Sequence, residues 1–244
     1  LDPKRIMAEL TGREDGYSAG KGGSMHMFSK ENNFYGGHGI VGAQVPIGTG
    51  IAFTHKYNGE KNICRTYIGD GAMNNGQVFE AFNLAALWKL PVLYIIENNK
   101  YGMGTSVDRA AAGLDLYKRG EAFGIPGEKV DGMNVFSVIE AADKAGKYVR
   151  EGNGPYIIEV QTYRYRGHSM SDPAKYRTKE ELDNYKQTDP IEIVKAEILK
   201  KKIATNDEIE KINKDILEEI KNAAEFATNS PFPKDSELYT DVYL

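Results

Sequence analysis

The chain has 244 residues, 41% of them hydrophobic, enough to bury one full-sized core. Its formal net charge is -4, with Lys and Arg interspersed among Asp and Glu, which argues against a nucleic-acid partner. The longest wholly apolar stretches, such as residues 91–96, are far too short to cross a bilayer, so a soluble protein with no membrane partner is expected.

The opening "LDPKRIMAELTG" reads as a helix capped by Asp2, with Pro3 at its first position and Gly12 at its end. Because the first residue is Leu1 rather than Met, an upstream segment of a larger protein is expected. Two glycine-rich stretches follow, "GYSAGKGGSMHMF" and "YGGHGIVGAQVPIGTGIAF", which let backbone approach a ligand or a neighbouring helix closely. His26 and His38 within them read as surface or packing histidines, and Met25, Met27 and the later Met103 as core or interface filler.

Residues 63–68 read as a buried strand. The single cysteine, Cys64, lies in it, excludes an internal disulfide and fits a small buried residue in a reducing compartment. Asn74 or Asn75 then caps a helix running to about Trp88, with Val78, Phe79, Phe82, Ala85, Ala86 and Trp88 on its packing side. Residues 91–96 read as a second strand, parallel to the first through a right-handed crossover, so the loops after both strands share one sheet edge.

The pattern recurs downstream. A short apolar piece around Val130 precedes a helix over residues 135–150, carrying Val138, Ile139, Ala142, Tyr148 and Val149 inward. The turn "EGNGP" and a strand over residues 156–163 follow, and the loop "RYRGHSMSDP" should open on that same edge. From Thr178 the sequence turns helical and charged, with Ile209, Ile212, Ile216, Ile220 and Ala223 forming an apolar stripe.

In an open parallel sheet, ligands bind beyond the carboxyl ends of the strands, where loops 69–75, 98–106 and 164–172 converge. Asp70 offers a carboxylate, Asn99 an amide oxygen and the chain after Asn99 free carbonyls, a hard-oxygen set suited to Mg²⁺ or Ca²⁺. Gly69 and Gly71 leave room for phosphate to approach backbone N–H groups, and the following helix adds the positive end of its dipole. A Mg-diphosphate is the ligand these parts describe. Alone, "GDG" reads as an ordinary turn and "ENN" as a solvated strand end. Facing one edge of a single strand-helix-strand unit, they point together to a site.

This pairing is similar to the thiamine diphosphate motif, GDG followed after roughly thirty residues by NN. The segments "GDGAMNNGQVFEAFNLAALWKLPVLYIIENNKYGMGTSVDRAAA" and "TYRYRGHSMSDPAKYRT" resemble the alpha subunits of pyruvate dehydrogenase E1 components, and the likeness covers essentially the whole chain. It implies an α/β thiamine diphosphate-binding fold, a mostly parallel sheet with helices on both faces and a helical C-terminal segment. On that pattern residues 1–244 make one alpha-subunit domain that lacks its N-terminal segment.

The resemblance further implies that Asp70, Asn99 and the Tyr101 carbonyl hold Mg²⁺, that Gly71 and Ala72 contact the diphosphate, and that Gly39 and Val41 meet the aminopyrimidine ring. His168 would stand at the mouth of the site as a catalytic residue near diphosphate and substrate; the plain alternative is a solvated loop histidine. The implied reaction is oxidative decarboxylation of pyruvate, with transfer of the acetyl group to the lipoyl group of E2. Acetoin or branched-chain 2-oxo acid dehydrogenase subunits, and a non-catalytic scaffold subunit, remain as alternatives.

Thiamine diphosphate chemistry needs a carboxylic acid against the pyrimidine, and Glu80 and Glu97 fall on the wrong elements or are needed elsewhere. By resemblance that glutamate belongs to a beta subunit, which makes this chain half of a site in an α2β2 heterotetramer, with the lipoyl domain of the E2 dihydrolipoyl acetyltransferase as a further partner. Ser106 and Ser169 match regulatory serines of animal members. The shorter "PAKYR" with Lys175 replaces a third, which looks bacterial and argues against kinase control.

Overall fold

The computed structural model describes residues 1–242, which fall into two compact units. The first to be considered, Ile40–Glu197, is built on four parallel strands: β1 (Cys64–Gly69), β2 (Val92–Asn98), β5 (Gly127–Asp131) and β6 (Tyr156–Gln161), in the order β1-β2-β6-β5. A two-residue hairpin, β3 (Tyr101–Gly102) with β4 (Thr105–Ser106), follows β2.

Helices cover both faces, as a parallel sheet requires. On one face Val92, Tyr94 and Ile96 of β2 pack with Val45 and Ala52 of α2 (Gln44–Tyr57) and with Val78, Phe82 and Ala85 of α3 (Gly76–Leu87). Helix α2 lies so close that a Cβ on Gly48 would fall 2.0 Å from Thr66 Oγ1. Buried Tyr94 finds its hydroxyl partner in Thr49 at 2.7 Å. On the other face Leu93 and Ile158 pack with Ala141, Ala145 and Val149 of α5 (Val135–Arg150). Beside α5 the face of β1 and β2 carries a groove of about 500 Å³, lined among others by Arg65, Tyr67, Ile95, Glu97 and Gly146.

The expected elements are present, with local differences. Trp88 is the C-cap of α3 and is exposed, because the chain turns at Lys89 (φ +46°) and its ring settles 5.5 Å from Phe53 instead of under the helix. Ile139 also points outward: the buried face of α5 runs through Ala141, Ala145 and Val149, which leaves Ile139 more than half exposed. Cys64 is half-buried in β1, and burial pushes its thiol pKa up.

The second unit holds Leu1–Gly39 and the residues from Ile198 on. Helix α1 (Pro3–Leu10) starts as expected, with the Asp2 side chain accepting from the Lys4 N–H at 2.9 Å, and packs on α8 (Asn206–Asn229) through Ala8, Ala223 and Ala227. The expected stripe on α8 is buried only at its C-terminal end, while Ile212, Ile216 and Ile220 are exposed. Eight residues span about 12 Å and twenty-four about 36 Å, so α1 covers only part of its partner. Met25, and Met103 in the first unit, are exposed rather than core.

Candidate functional site

Strands β1 and β2 pair in register from Cys64 with Val92 to Gly69 with Glu97, so the loops that follow leave the sheet side by side. After β1, Asp70 is buried, and a short turn, Ala72–Asn74, leads through Asn75 into α3. After β2, Asn98 is pinned in the sheet: its Nδ2 donates to buried Glu159 at 2.8 Å, and its Oδ1 accepts from the Lys100 N–H at 3.2 Å. The chain then reverses through Lys100 in a left-handed conformation (φ +76°), with the Asn99 N–H and the Lys100 charge both acting on the Asp70 carboxyl.

The two loops meet at their glycines. A Cβ on Gly102 would lie 3.3 Å from Gly71 Cα and 4.0 Å from Asp70 Oδ2. Gly69, by contrast, has open space where its Cβ would point. Burial raises the Asp70 carboxyl above the ordinary carboxylate range. The N–H groups of Asp70 and Asn99 pull it back, as do the nearby charges of Arg164 and Lys100. The result is an under-compensated buried carboxylate.

Asn99 Oδ1 accepts from the Tyr101 N–H at 3.2 Å, and the Tyr101 carbonyl accepts from Arg164 Nη1 at 3.1 Å. Val41 brings its carbonyl to Asn75 Nδ2 (3.2 Å) and Gln77 Nε2 (3.1 Å). Asn75 therefore caps α3 by backbone position without a side-chain cap bond, which leaves first-turn N–H groups of that helix for another acceptor. Gly39 lies in the other unit, beside His26.

His168 is exposed in the loop after β6. Its N–H donates to Asp172 Oδ2 at 2.7 Å; the same oxygen accepts from the Tyr176 hydroxyl, and Asp172 Oδ1 takes the Ala174 N–H, both at 2.8 Å. These donors hold the Asp172 carboxyl below the usual range. Glu80 is exposed on α3, and Glu97 lines the groove on the α5 side of the sheet.

Among the described residues no three His, Cys, Asp or Glu side chains gather as a metal site. The structure thus brings Asp70, Gly71, Ala72, Asn99 and Tyr101 to one sheet edge, and no part of that grouping depends on a cluster of carboxylates.

The chain matches the family described as "Dehydrogenase E1 component" over residues 1–236. The chain belongs to the dehydrogenase E1 component family. That family depends on thiamine diphosphate. The chain is 60% identical over 242 residues to the pyruvate dehydrogenase E1 component subunit alpha of Rickettsia felis, covering 99% of this chain and 74% of that one. It is 58% identical over 245 residues to the protein of that name from Rhizobium meliloti, covering 100% and 70%. It is also 57% identical over 244 residues to the mitochondrial subunit alpha of Dictyostelium discoideum, covering 99% and 64%.

Several residues that shape this E1 edge carry no sequence signal of their own. Arg164 spans the gap between loops, donating also to the Met103 carbonyl (2.5 Å) and the Tyr176 hydroxyl (2.8 Å). Glu181 of α6 (Lys179–Lys186) accepts from the hydroxyls of Tyr101 and Tyr163 at 2.9 Å. Arg177 holds the carbonyls of Arg164 and Tyr165. The one available cue was composition: tyrosines 163, 165, 176 and 185 alternate with charge through this region.

Proposed function

We propose that this chain acts as the alpha subunit of a pyruvate dehydrogenase E1 component, oxidatively decarboxylating pyruvate and passing the acetyl group to the lipoyl group of E2. The observation that carries the reading is the grouping of Asp70, Asn99 and the Tyr101 carbonyl, in a chain 58–60% identical to subunits of that name.

The donor set fits Mg²⁺. One carboxylate, one amide oxygen and one carbonyl are hard ligands, and the remaining positions of an octahedron would fall to water and phosphate. A cation would also neutralise the charge that burial of Asp70 leaves under-compensated. Asp70, Asn99 and the Tyr101 carbonyl would hold the ion; Gly71 and Ala72, with the uncapped start of α3, would take the diphosphate; Gly39 and Val41 would meet the aminopyrimidine. Thiamine diphosphate, when bound, supplies a ring that stabilises the negative charge left by loss of carbon dioxide.

The chain's own residues position and shield. Arg164 fixes the carbonyls of Tyr101 and Met103, and Asp172 fixes the backbone at His168, whose imidazole would meet substrate at the mouth. Glu80 and Glu97 face elsewhere, in keeping with a glutamate donated by a beta subunit in an α2β2 assembly, which the lipoyl domain of E2 would then visit.

The test is pyruvate-dependent dye reduction with Mg²⁺ and thiamine diphosphate, using the full-length chain alone and then with its beta subunit. Activity in the mixture only is expected, and activity of the chain alone would overturn the shared-site reading. Faster turnover of acetoin or 3-methyl-2-oxobutanoate would reassign the substrate. Equal cofactor binding by the assembled wild type and Asp70→Ala would overturn the site.

A further inference from the structure

Toward its carboxyl end one face of the sheet changes from apolar to polar. On β2 the inward series Val92, Tyr94, Ile96 ends in Asn98; on β6 Ile157 is followed by Glu159 and Gln161, with Ile96 paired to Glu159 and Asn98 to Gln161. Glu159 is fully buried, and three neutral donors converge on it. Its Oε1 accepts from Asn98 Nδ2 (2.8 Å) and Gln161 Nε2 (2.5 Å), and its Oε2 from the Tyr117 N–H (3.1 Å). A buried carboxylate is costly unless donors converge on it, and bonds to a charged acceptor are the strong ones. No step of the proposed reaction uses this charge.

What the charge does is orient an amide. The side chain of Asn98 has a donor end and an acceptor end, whereas a carboxylate only accepts. With Nδ2 committed to Glu159, Asn98 Oδ1 is turned to the Lys100 N–H, 3.2 Å away, and closes a side-chain turn over residues 98–100. That turn helps to hold Lys100 in its left-handed conformation (φ +76°), which costs free energy in any residue but glycine and persists only where its surroundings enforce it. Lys100 Nζ is bonded to Gln161 Oε1, so Gln161 ties the turn back to Glu159 a second time. The Asn99 N–H and the Lys100 charge that act on the Asp70 carboxyl both belong to this turn. The loop that carries Asp70 is fastened to the same place: Tyr117 lies in the short helical segment Leu116–Phe123, whose Arg119 Nη1 donates to the Met73 carbonyl at 2.7 Å. All of these residues lie in one compact unit.

We propose that Glu159 is a positioning residue for the Mg-diphosphate site, setting the direction of the Asn98 amide and through it the turn that carries Asn99. This rests on the reading that Asp70 and Asn99 hold the ion. A glutamine at this position has nearly the same shape but donates as well as accepts. Asn98 would then be free to turn its own Nδ2 toward the Lys100 N–H, setting donor against donor and opening the turn.

The experiment uses the full-length protein assembled with its beta subunit, in the variants Glu159→Gln, Asn98→Asp, the two combined, Leu116→Ala and Asp70→Ala. Each is titrated with Mg-thiamine diphosphate by calorimetry, and each is melted without cofactor. Glu159→Gln is expected to raise the cofactor Kd about tenfold or more, with kcat largely recovered at saturating cofactor. Asn98→Asp sets two carboxylates against each other and should weaken binding as much, even though it adds negative charge beside a cation site. The combined variant restores a donor facing an acceptor with the polarity reversed: the new amide donates to the new carboxylate, whose other oxygen still accepts from the Lys100 N–H. It should bind several-fold more tightly than either single variant, an effect of charge direction that lost packing does not produce. Leu116→Ala, which empties buried volume in the segment next to Glu159, should lower the melting midpoint while moving Kd by no more than about twofold. If Glu159→Gln does not fold, Asn98→Ala decides with the same expected rise in Kd. Wild-type affinity in Glu159→Gln or Asn98→Ala, losses that simply add in the combined variant, or an equal rise in Leu116→Ala, each with binding lost in Asp70→Ala, overturns this inference alone. Wild-type affinity in Asp70→Ala overturns the site reading beneath it.

Discussion

Gly71 and Gly102 meet back to back, each so near the other that a Cβ added to either would come within 3.3 Å of the other's Cα. This contact joins the loop that carries Asp70 to the hairpin that carries the Tyr101 carbonyl. A methyl group at either position forces a few tenths of an ångström of separation, because the neighbour is backbone and has no rotamer to change. Gly102→Ala is therefore expected to weaken Mg-thiamine diphosphate binding by about tenfold, with little loss of stability. Gly69→Ala, whose Cβ would point into open space, serves as a comparison that does not separate the loops. Equal affinities in Gly102→Ala and wild type, measured by calorimetry, would mean that the loop contact does not set the metal site.

Asp70 gives the cofactor-free protein a pH dependence of definite sign. Burial raises its folded carboxyl above its unfolded value, so the folded chain holds that proton more tightly than the unfolded one does. The associated stability is fully present below the unfolded pKa and is lost as pH rises through the folded one. Asp70→Asn should remove this dependence, melting no lower than wild type near neutral pH while failing to bind Mg-thiamine diphosphate. Mg²⁺ selects the ionised carboxylate, so wild-type affinity should fall as pH drops through the same range, with net proton release on binding. Calorimetry in two buffers of different ionisation enthalpy, across the pH range in which the affinity falls, measures that release, and an affinity for Mg-thiamine diphosphate with the same pH dependence in wild type and Asp70→Asn would exclude Asp70 as the ligand.

The legible and illegible parts of this chain divide by range of interaction. β2 announces itself because a strand buried on both faces is a nearly continuous apolar run, whereas β1, expected to be buried, buries only the Thr66 and Ile68 face and exposes Arg65 and Tyr67 on the groove side; the loops after both inherit their placement from parallel topology. Asp70 and Asn99 could be paired from sequence for that reason alone. Arg164 to the Tyr101 carbonyl spans 63 positions and Tyr101 to Glu181 spans 80, and neither pair obeys a periodicity. Glu9 is hidden by a different cause: a helix carboxylate normally means a solvated face, and only the fold shows four N–H groups closing on it. Trp88 failed at a boundary, where one residue past the helix its side chain no longer follows the helical period.

Glu181 supports the hairpin from below. The hydroxyls of Tyr101 and Tyr163 both donate to it, and burial together with that carboxylate pushes both phenol pKa values up to about 12. Glu181→Ala removes the acceptor and strands two largely buried hydroxyls, with an expected cost of about 2 kcal/mol in urea unfolding. Glu181→Gln keeps one acceptor and should cost about half of that. Because the Tyr101 carbonyl is one of the oxygens proposed to hold Mg²⁺, Glu181→Ala should raise the Mg²⁺ concentration needed for half-maximal activity. A stability loss without that rise would confine Glu181 to packing.

Asp172 clasps the loop of His168, and its chemistry fixes what each substitution does. Its Oδ2 takes the His168 N–H and the Tyr176 hydroxyl, and its Oδ1 takes the Ala174 N–H, so an asparagine must set its own N–H groups against at least one donor. The loop cannot relax around the change, since a Cβ on Gly167 would already lie 2.3 Å from the Asp172 carbonyl. Asp172→Asn is therefore expected to lower kcat with pyruvate by about tenfold while leaving the cofactor Kd within about twofold, because the Asp70 edge is untouched. The carboxyl is held low by its donors, so the clasp persists throughout the neutral range and loosens only as pH falls through the depressed folded value. Acid inactivation of the wild type should accordingly track tryptic cleavage within residues 164–177, and Asp172→Asn should be cleaved there at neutral pH. A variant with wild-type kcat and a fully cleaved loop would show that His168 does its work without being held.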